Sequence, residues 1–239
     1  VTLDLFLNPA ECARATRTLG ELLRHDVGRF ALTGGLAIEL QVLAHGGEAF
    51  LRPLNDIDFL VGAFEDIPAT LGKALLLRHV HPNDPAGKTL LQGVDAATSV
   101  RMDVFRAYGN EMERAEVVED VPLRVVALED LAARHARLCW DLVDGKCVAP
   151  KFARDFLRMV ETVRADGVEV VWREHRKPSF ADTFGEAVLE IRRAIEMRGD
   201  LLVAPEYSTD TYEVCSRCCA SAGFAVAPAE EIVSRLGYC

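Results

Sequence analysis

The sequence predicts an α+β fold: a mixed sheet with flanking helices, followed by a C-terminal helical domain. Three observations carry this reading. Short apolar runs broken by glycine, proline and aspartate fill residues 28–126, the mark of strands joined by turns. From Leu128 onward the apolar residues recur at helical spacing instead. Several strand candidates are separated only by short turns, which suits antiparallel or mixed pairing because parallel neighbours need long crossovers. The boundary falls near Pro122, giving one domain over residues 1–122 and a helical domain with a cysteine-containing tail over 123–239.

The elements follow in order. Asn8-Pro9-Ala10-Glu11 combines a favoured cap, proline at the first helical position and glutamate three residues after the cap. It predicts a helix to about Arg24, with Ala15, Leu19, Leu22 and Leu23 facing inward. Phe30-Ala31-Leu32 is a buried-strand run that stops at Thr33-Gly34-Gly35, and Leu36 to His45 is a short buried helix. Asp56 to Val61 is a second strand, residues 68–75 a short helix and 76–80 a strand. Asn83-Asp84-Pro85-Ala86-Gly87 is a turn, leading to a strand at 88–94, a turn near Asp95 and a strand over 99–105. Residues 116–118 and 123–126 are further short strands. Leu128, Leu131, Ala132, Ala136, Leu138 and Leu142 then predict a helix ending near Gly145. Pro150 opens another through Phe152, Phe156, Met159 and Val160, and Ala181 to Met197 forms a third, ended by Gly199.

Composition narrows the function classes. The 239 residues are half apolar and 27% charged, as in an ordinary globular protein with a substantial core. No apolar run reaches the roughly 20 residues that a membrane helix needs, so no membrane partner is expected. No basic stretch followed by an apolar core opens the chain, and seven cysteines without a secretion signal fit reduced thiols and a cytoplasmic setting. The net charge of −10 argues against broad nucleic-acid binding, since polyanions are held by basic faces. The charge is uneven: residues 1–123 hold 18 acidic and 11 basic side chains, whereas residues 124–198 hold 13 and 14. One tRNA or nucleotide could still dock on a local basic face, and residues 124–198 are the part that does not evidently repel a polyanion.

The chemistry concentrates in residues 30–62 and 99–105. In a strand, Asp56 and Asp58 share one face while Ile57 and Phe59 point to the core. Two carboxylates side by side repel unless a cation lies between them, and hard oxygen pairs suit Mg²⁺ together with substrate phosphates. Asp103, alone among apolar neighbours in its strand, supplies a third acid. Gly34 and Gly35 at a helix start leave backbone N–H groups free for phosphate oxygens.

A glycine turn, an Asp-x-Asp strand and a later single aspartate resemble the DNA polymerase β-type nucleotidyltransferase superfamily. The long spacing between glycines and aspartates, with the Leu128-Glu129-Asp130-Leu131 helix start, is most similar to its AbiEii-type toxin branch. The resemblance covers about residues 28–165. Leu54 stands where that branch often has threonine, and Arg134 and Arg137 stand in the helix where it usually has lysine. The resemblance implies a Mg²⁺- or Mn²⁺-dependent enzyme that transfers a nucleoside monophosphate from a nucleoside triphosphate to a hydroxyl. Asp56, Asp58 and Asp103 would be the catalytic metal ligands, with Asp103 as a second-metal bridge or base. Gly34, Gly35, Arg52, Lys151 and Asp155 would contact nucleotide. The implied acceptor is a tRNA or a protein, and the implied partner an antitoxin protein; a small-molecule transferase of the aminoglycoside type and an inactive nucleotide- or antitoxin-binding module are the alternatives.

Other features have plainer readings beside the functional ones. Arg52 is also a solvated loop arginine, and Lys151 with Asp155 is also a helical i,i+4 ion pair worth a few tenths of a kcal/mol. His79 and His81 would share a strand face without a third ligand, and His135 reads as structural. Cys215-x-x-Cys218-Cys219, with Cys239, is half of a zinc pattern without a second pair at the usual spacing.

Overall fold

The computed structural model describes residues 3–79 and 89–203. Its framework is one seven-stranded mixed sheet: β1 (Ala31–Thr33), β2 (Asp56–Val61), β3 (Leu76–His79), β4 (Thr89–Asp95), β5 (Val100–Arg106), β6 (Glu116–Val117) and β7 (Arg124–Val125). They lie in the order β3-β4-β5-β2-β1-β7-β6. Two pairs are parallel, β2 with β5 and β1 with β7; the rest are antiparallel. The expected mixed sheet is thus present, and its crossovers explain it. The chain leaves β2, makes the β3–β4 hairpin at the sheet edge, and returns as β5 alongside β2 in the same direction.

Burial follows from sequence. β1 is buried throughout, an interior strand between β2 and β7, and Ile57, Phe59, Leu60 and Val61 of β2 are fully enclosed. Phe30 and Phe59 pack ring to ring at 5.8 Å. Helix α1 (Pro9–Leu22) begins where the cap predicts, with the Asn8 carboxamide oxygen accepting from the Glu11 N–H at 3.0 Å. It ends before Arg24, and Leu23 is exposed rather than inward. Ala15, Leu19 and Leu22 form one stripe at i, i+4, i+7; Leu23, four residues after Leu19, is the C-cap residue just past the end of the helix. Thr18 joins that stripe because its hydroxyl donates to Asp95 at 2.9 Å, tying α1 to the β4–β5 turn.

Helix α2 (Gly34–Ala44) starts on the glycine pair itself, two residues earlier than expected. The segment after Pro68 closes only as a 3-10 turn at Ala69–Lys73. A one-turn helix α3 (Glu111–Arg114), not anticipated, sits between β5 and β6. The helical region comprises α4 (Leu128–Val143), α5 (Pro150–Thr162), α6 (Ala165–His175) and α7 (Phe184–Met197). In α4 the expected inward residues are buried except Leu138, which lies at the edge of the stripe, one heptad after buried Leu131. Within α5, Phe156 and Met159 are buried while Phe152 and Val160 are half-buried. Helix α6 went unread, although Val168, Val171, Trp172 and His175 form a buried i, i+3, i+4, i+7 set. Helix α7 starts at Phe184 rather than Ala181, because Thr183 and Glu186 form a reciprocal capping box. Residues 180–183 are spent on positioning Phe180, which stacks on Trp140 at 4.8 Å. Among the described residues no helix is long and apolar enough to cross a membrane. The 83–87 turn, His81 and the tail cysteines lie outside the described residues.

Candidate active site

The parallel register of β2 with β5 sets the site. Asp58 pairs with Asp103 and Asp56 with Arg101, while antiparallel β1 brings Thr33 opposite Asp58. Because alternate residues share a face, Asp56, Asp58, Arg101 and Asp103 all project from the same side. Asp56, Asp58 and Asp103 each offer a carboxylate oxygen, all within 4.8 Å of one another. Asp103 is 5% exposed, and one of its oxygens accepts from Gln92 Nε2 of neighbouring β4 at 3.0 Å. Its other oxygen is 3.0 Å from an Arg101 nitrogen, and the same guanidinium forms a close ion pair with Asp56.

Electrostatics records the crowding. Burial, then the charges of Asp56 and Asp103, hold the Asp58 carboxyl well above its ordinary range, with Arg101 and Lys151 opposing. Asp103 is also raised, by burial above all, against the pull of Arg101 and its hydrogen bond from Gln92. Three hard oxygen donors in one half-buried recess, two of them costly to ionise as they stand, fit an oxophilic divalent cation such as Mg²⁺ or Mn²⁺.

The glycine pair abuts this recess. Gly34 has φ +63°, and a Cβ built on it would lie 1.9 Å from an Asp58 carboxylate oxygen. The turn therefore needs glycine twice over, for its left-handed backbone and for room beside the acid. No capping side chain takes the first N–H groups of α2, so Gly34 and Gly35 open the helix beside the acids with their amide dipoles uncovered by a cap.

Arg52 lies close behind Gly35. One guanidinium nitrogen donates to the Gly35 carbonyl at 2.9 Å and to Glu39 at 3.1 Å; another donates to Asp155 at 3.0 Å. A Cβ on Gly35 would come within 3.0 Å of the Arg52 Cζ. Glu39 in turn accepts two bonds from Arg158, at 2.7 and 2.9 Å. Arg52 is therefore a largely buried strut between the glycine turn and α5 rather than a solvated loop arginine. Asp155 is taken by Arg52, not by Lys151 in a surface pair. Lys151 is exposed on the first turn of α5, its ammonium 5.1 Å from the Phe152 ring, and its charge reaches Asp58.

All eight residues singled out from sequence thus gather at one end of the sheet. Three others were missed. Arg101 and Gln92 each carried a signal, a polar residue facing the acids in an otherwise apolar strand; Glu39 is an acid inside the apolar helix Gly34–Ala44.

A second trio, Glu111, Asp130 and His175, is fully buried. Its oxygens are already engaged: Arg114 grips Asp130 at 2.8 and 2.7 Å, Arg134 grips Glu111 at 3.0 and 2.6 Å, and His175 Nε2 lies 2.9 Å from Asp130. The guanidinium groups of Arg134 and Arg137 each lie over the Tyr108 ring, 4.7 Å from its centre. This cluster is an internal ion-pair lock joining α3 to α4 and α6.

No protein-family model matches the chain, and no curated protein matches it. Among solved structures, JHP933 from Helicobacter pylori is similar over 82% of this chain and 94% of its own, with 12% identity and a TM-score of 0.39. A candidate nucleotidyltransferase from H. pylori is similar over 82% of this chain and 97% of its own, with 12% identity and a TM-score of 0.33.

Proposed function

We propose that this protein is a divalent-metal-dependent nucleotidyltransferase, moving a nucleoside monophosphate from a nucleoside triphosphate to a hydroxyl. The observation that carries the proposal is the three-carboxylate recess of Asp56, Asp58 and Asp103 against the glycine-opened start of α2. In this reading Asp56 and Asp58 hold the metal that accompanies the triphosphate. The bound cation supplies Lewis-acid stabilisation of charge on the phosphoryl oxygens. Gly34 and Gly35 meet phosphate through backbone N–H groups, and Lys151 approaches from α5 as an exposed positive charge. Arg52 contributes by fixing the glycine turn against Asp155. Asp103 accepts the proton of the acceptor hydroxyl, whose oxygen bonds to the α-phosphorus as the bond to the bridging oxygen breaks and pyrophosphate leaves.

The acceptor class follows from the resemblance in sequence, which favours a toxin-like enzyme acting on tRNA or protein, restrained by an antitoxin protein. Incubation with each α-labelled nucleoside triphosphate, Mg²⁺, total RNA and lysate tests it. Label in a tRNA or a protein band supports the proposal. Label in a small amino-sugar points to the aminoglycoside-type alternative, and an absence of both label and pyrophosphate leaves a binding module.

A further inference from the structure

Arg101 occupies the position that a metal reading of the site leaves unexplained. It precedes Asp103 by two residues on β5, shares its face, and lies in register with Asp56. Its guanidinium pairs with both acids while the three carboxylates crowd within 4.8 Å. Asp103 is thereby doubly committed, one oxygen to Gln92 and the other to Arg101. Each of its oxygens keeps a second lone pair, so these bonds by themselves exclude neither a cation nor a proton; the charge of the partner decides. The neutral amide of Gln92 can stay, whereas a guanidinium and a divalent ion repel each other at this range.

We propose that Arg101 is a built-in counter-cation of the carboxylate site, which stabilises the metal-free state and must be displaced from Asp56 and Asp103 before a divalent cation binds. This rests on the metal reading of the same site given above. The device makes metal alone bind weakly and metal with nucleotide bind well. A triphosphate brings oxygens that share the cation and also offers anionic acceptors to the released guanidinium. The site is then charged only when substrate arrives.

The test is calorimetric titration of the whole chain with Mn²⁺ in the absence of nucleotide. Arg101→Met removes the competing charge and is expected to tighten Mn²⁺ binding on the order of tenfold, since ligand-set charge tunes such affinities. Arg101→Lys keeps the charge and is expected to stay within about threefold of the parent protein. In chelator, Arg101→Met should melt lower than the parent and regain the difference when Mn²⁺ is added. Equal or weaker Mn²⁺ binding by Arg101→Met overturns the proposal and makes the residue an orienter of metal ligands. Should that variant not fold, the parent protein still decides: the Arg101 Nε–H resonance must move on saturation with Mg²⁺, and an unmoved signal overturns the idea. Failure of Mn²⁺ to bind the parent and both variants would instead sink the metal reading itself.

Discussion

Gly34 and Asp58 are fitted to each other: the α-carbon of the glycine faces the carboxylate so closely that one methyl group between them would overlap an oxygen at 1.9 Å. Gly34→Ala should therefore be costly on two counts. Left-handed backbone strains any β-carbon, by roughly 1 kcal/mol or more, and Asp58 must swing away from its partners. The expected result is a protein destabilised by about 1–3 kcal/mol in urea with metal binding lost. A variant that keeps its Mn²⁺ affinity would show that Asp58 is not held by this contact.

Asp58→Asn separates stability from chemistry. The acid is ionised at a cost because burial and two neighbouring carboxylates oppose it, so its protons are held more tightly folded than unfolded. Between its ordinary range and its raised one, stability falls as pH climbs. Replacing it with the neutral amide should raise the melting temperature in chelator at neutral pH while abolishing transfer. A lower melting temperature in chelator would contradict the repulsion argument.

Asp103→Asn should retain Mg²⁺–nucleotide affinity within a few-fold while product formation collapses by about 10² to 10⁴, the usual worth of a general base. Equilibrium dialysis with labelled nucleotide, beside turnover, measures both. If nucleotide binding vanishes as well, the residue is a ligand of the nucleotide's metal instead.

The ion-pair lock makes a stability prediction away from the site. Burial works against ionised Asp130, yet Arg114 and His175 outweigh it and hold its carboxyl below the ordinary range. Asp130→Ala removes the two-pronged partner of Arg114, leaving it Glu174, and takes the 2.9 Å partner from buried His175; it should cost about 3–5 kcal/mol. A loss below about 1 kcal/mol in urea titration would mean that water replaces the acid.

Buried His135 should contribute to acid sensitivity. Burial lowers its pKa to about 4 from the ordinary 6.5, and its Nδ1 lies 3.0 Å from the Leu131 carbonyl. Below pH 6.5 the unfolded chain takes up a proton that the folded one refuses, so stability falls as pH drops from 6.5 towards 4. The full loss is on the order of 3 kcal/mol. His135→Gln should flatten that slope; an unchanged slope would place the acid sensitivity elsewhere.

Much of this molecule is legible because its acids break an apolar rhythm. Asp56 and Asp58 alternate with Ile57 and Phe59, so a strand face could be read directly, and Asp103 stands out among Met102 and Val104. Strand order was not legible: nothing local says that β5 returns beside β2 or that Asp58 faces Asp103, since registers across forty residues are settled by packing. Arg52 shows the limit for single residues. Its partners, Gly35 and Asp155, lie 17 and 103 positions away, so only the fold distinguishes a strut from a loop charge. The inward assignments for Leu23 and Leu138 failed although both keep helical spacing from the buried residues Leu19 and Leu131: Leu23 lies past the end of its helix and Leu138 at the edge of its stripe.

The parallel pairing of β1 with β7 has a consequence for how the chain is made. Ala31 and Leu32 lie against Arg124 and Val125, and the Val126 N–H reaches the Leu32 carbonyl at 2.9 Å. During synthesis β1 therefore waits, with one edge open, until some ninety further residues have left the ribosome. An open edge on an apolar strand is a template for wrong partners, so mispairing is the hazard of this interval. Force measurements on stalled chains should find the sheet's folding step only once Val126 has cleared the exit tunnel; a step at shorter lengths would show that β1 closes without β7.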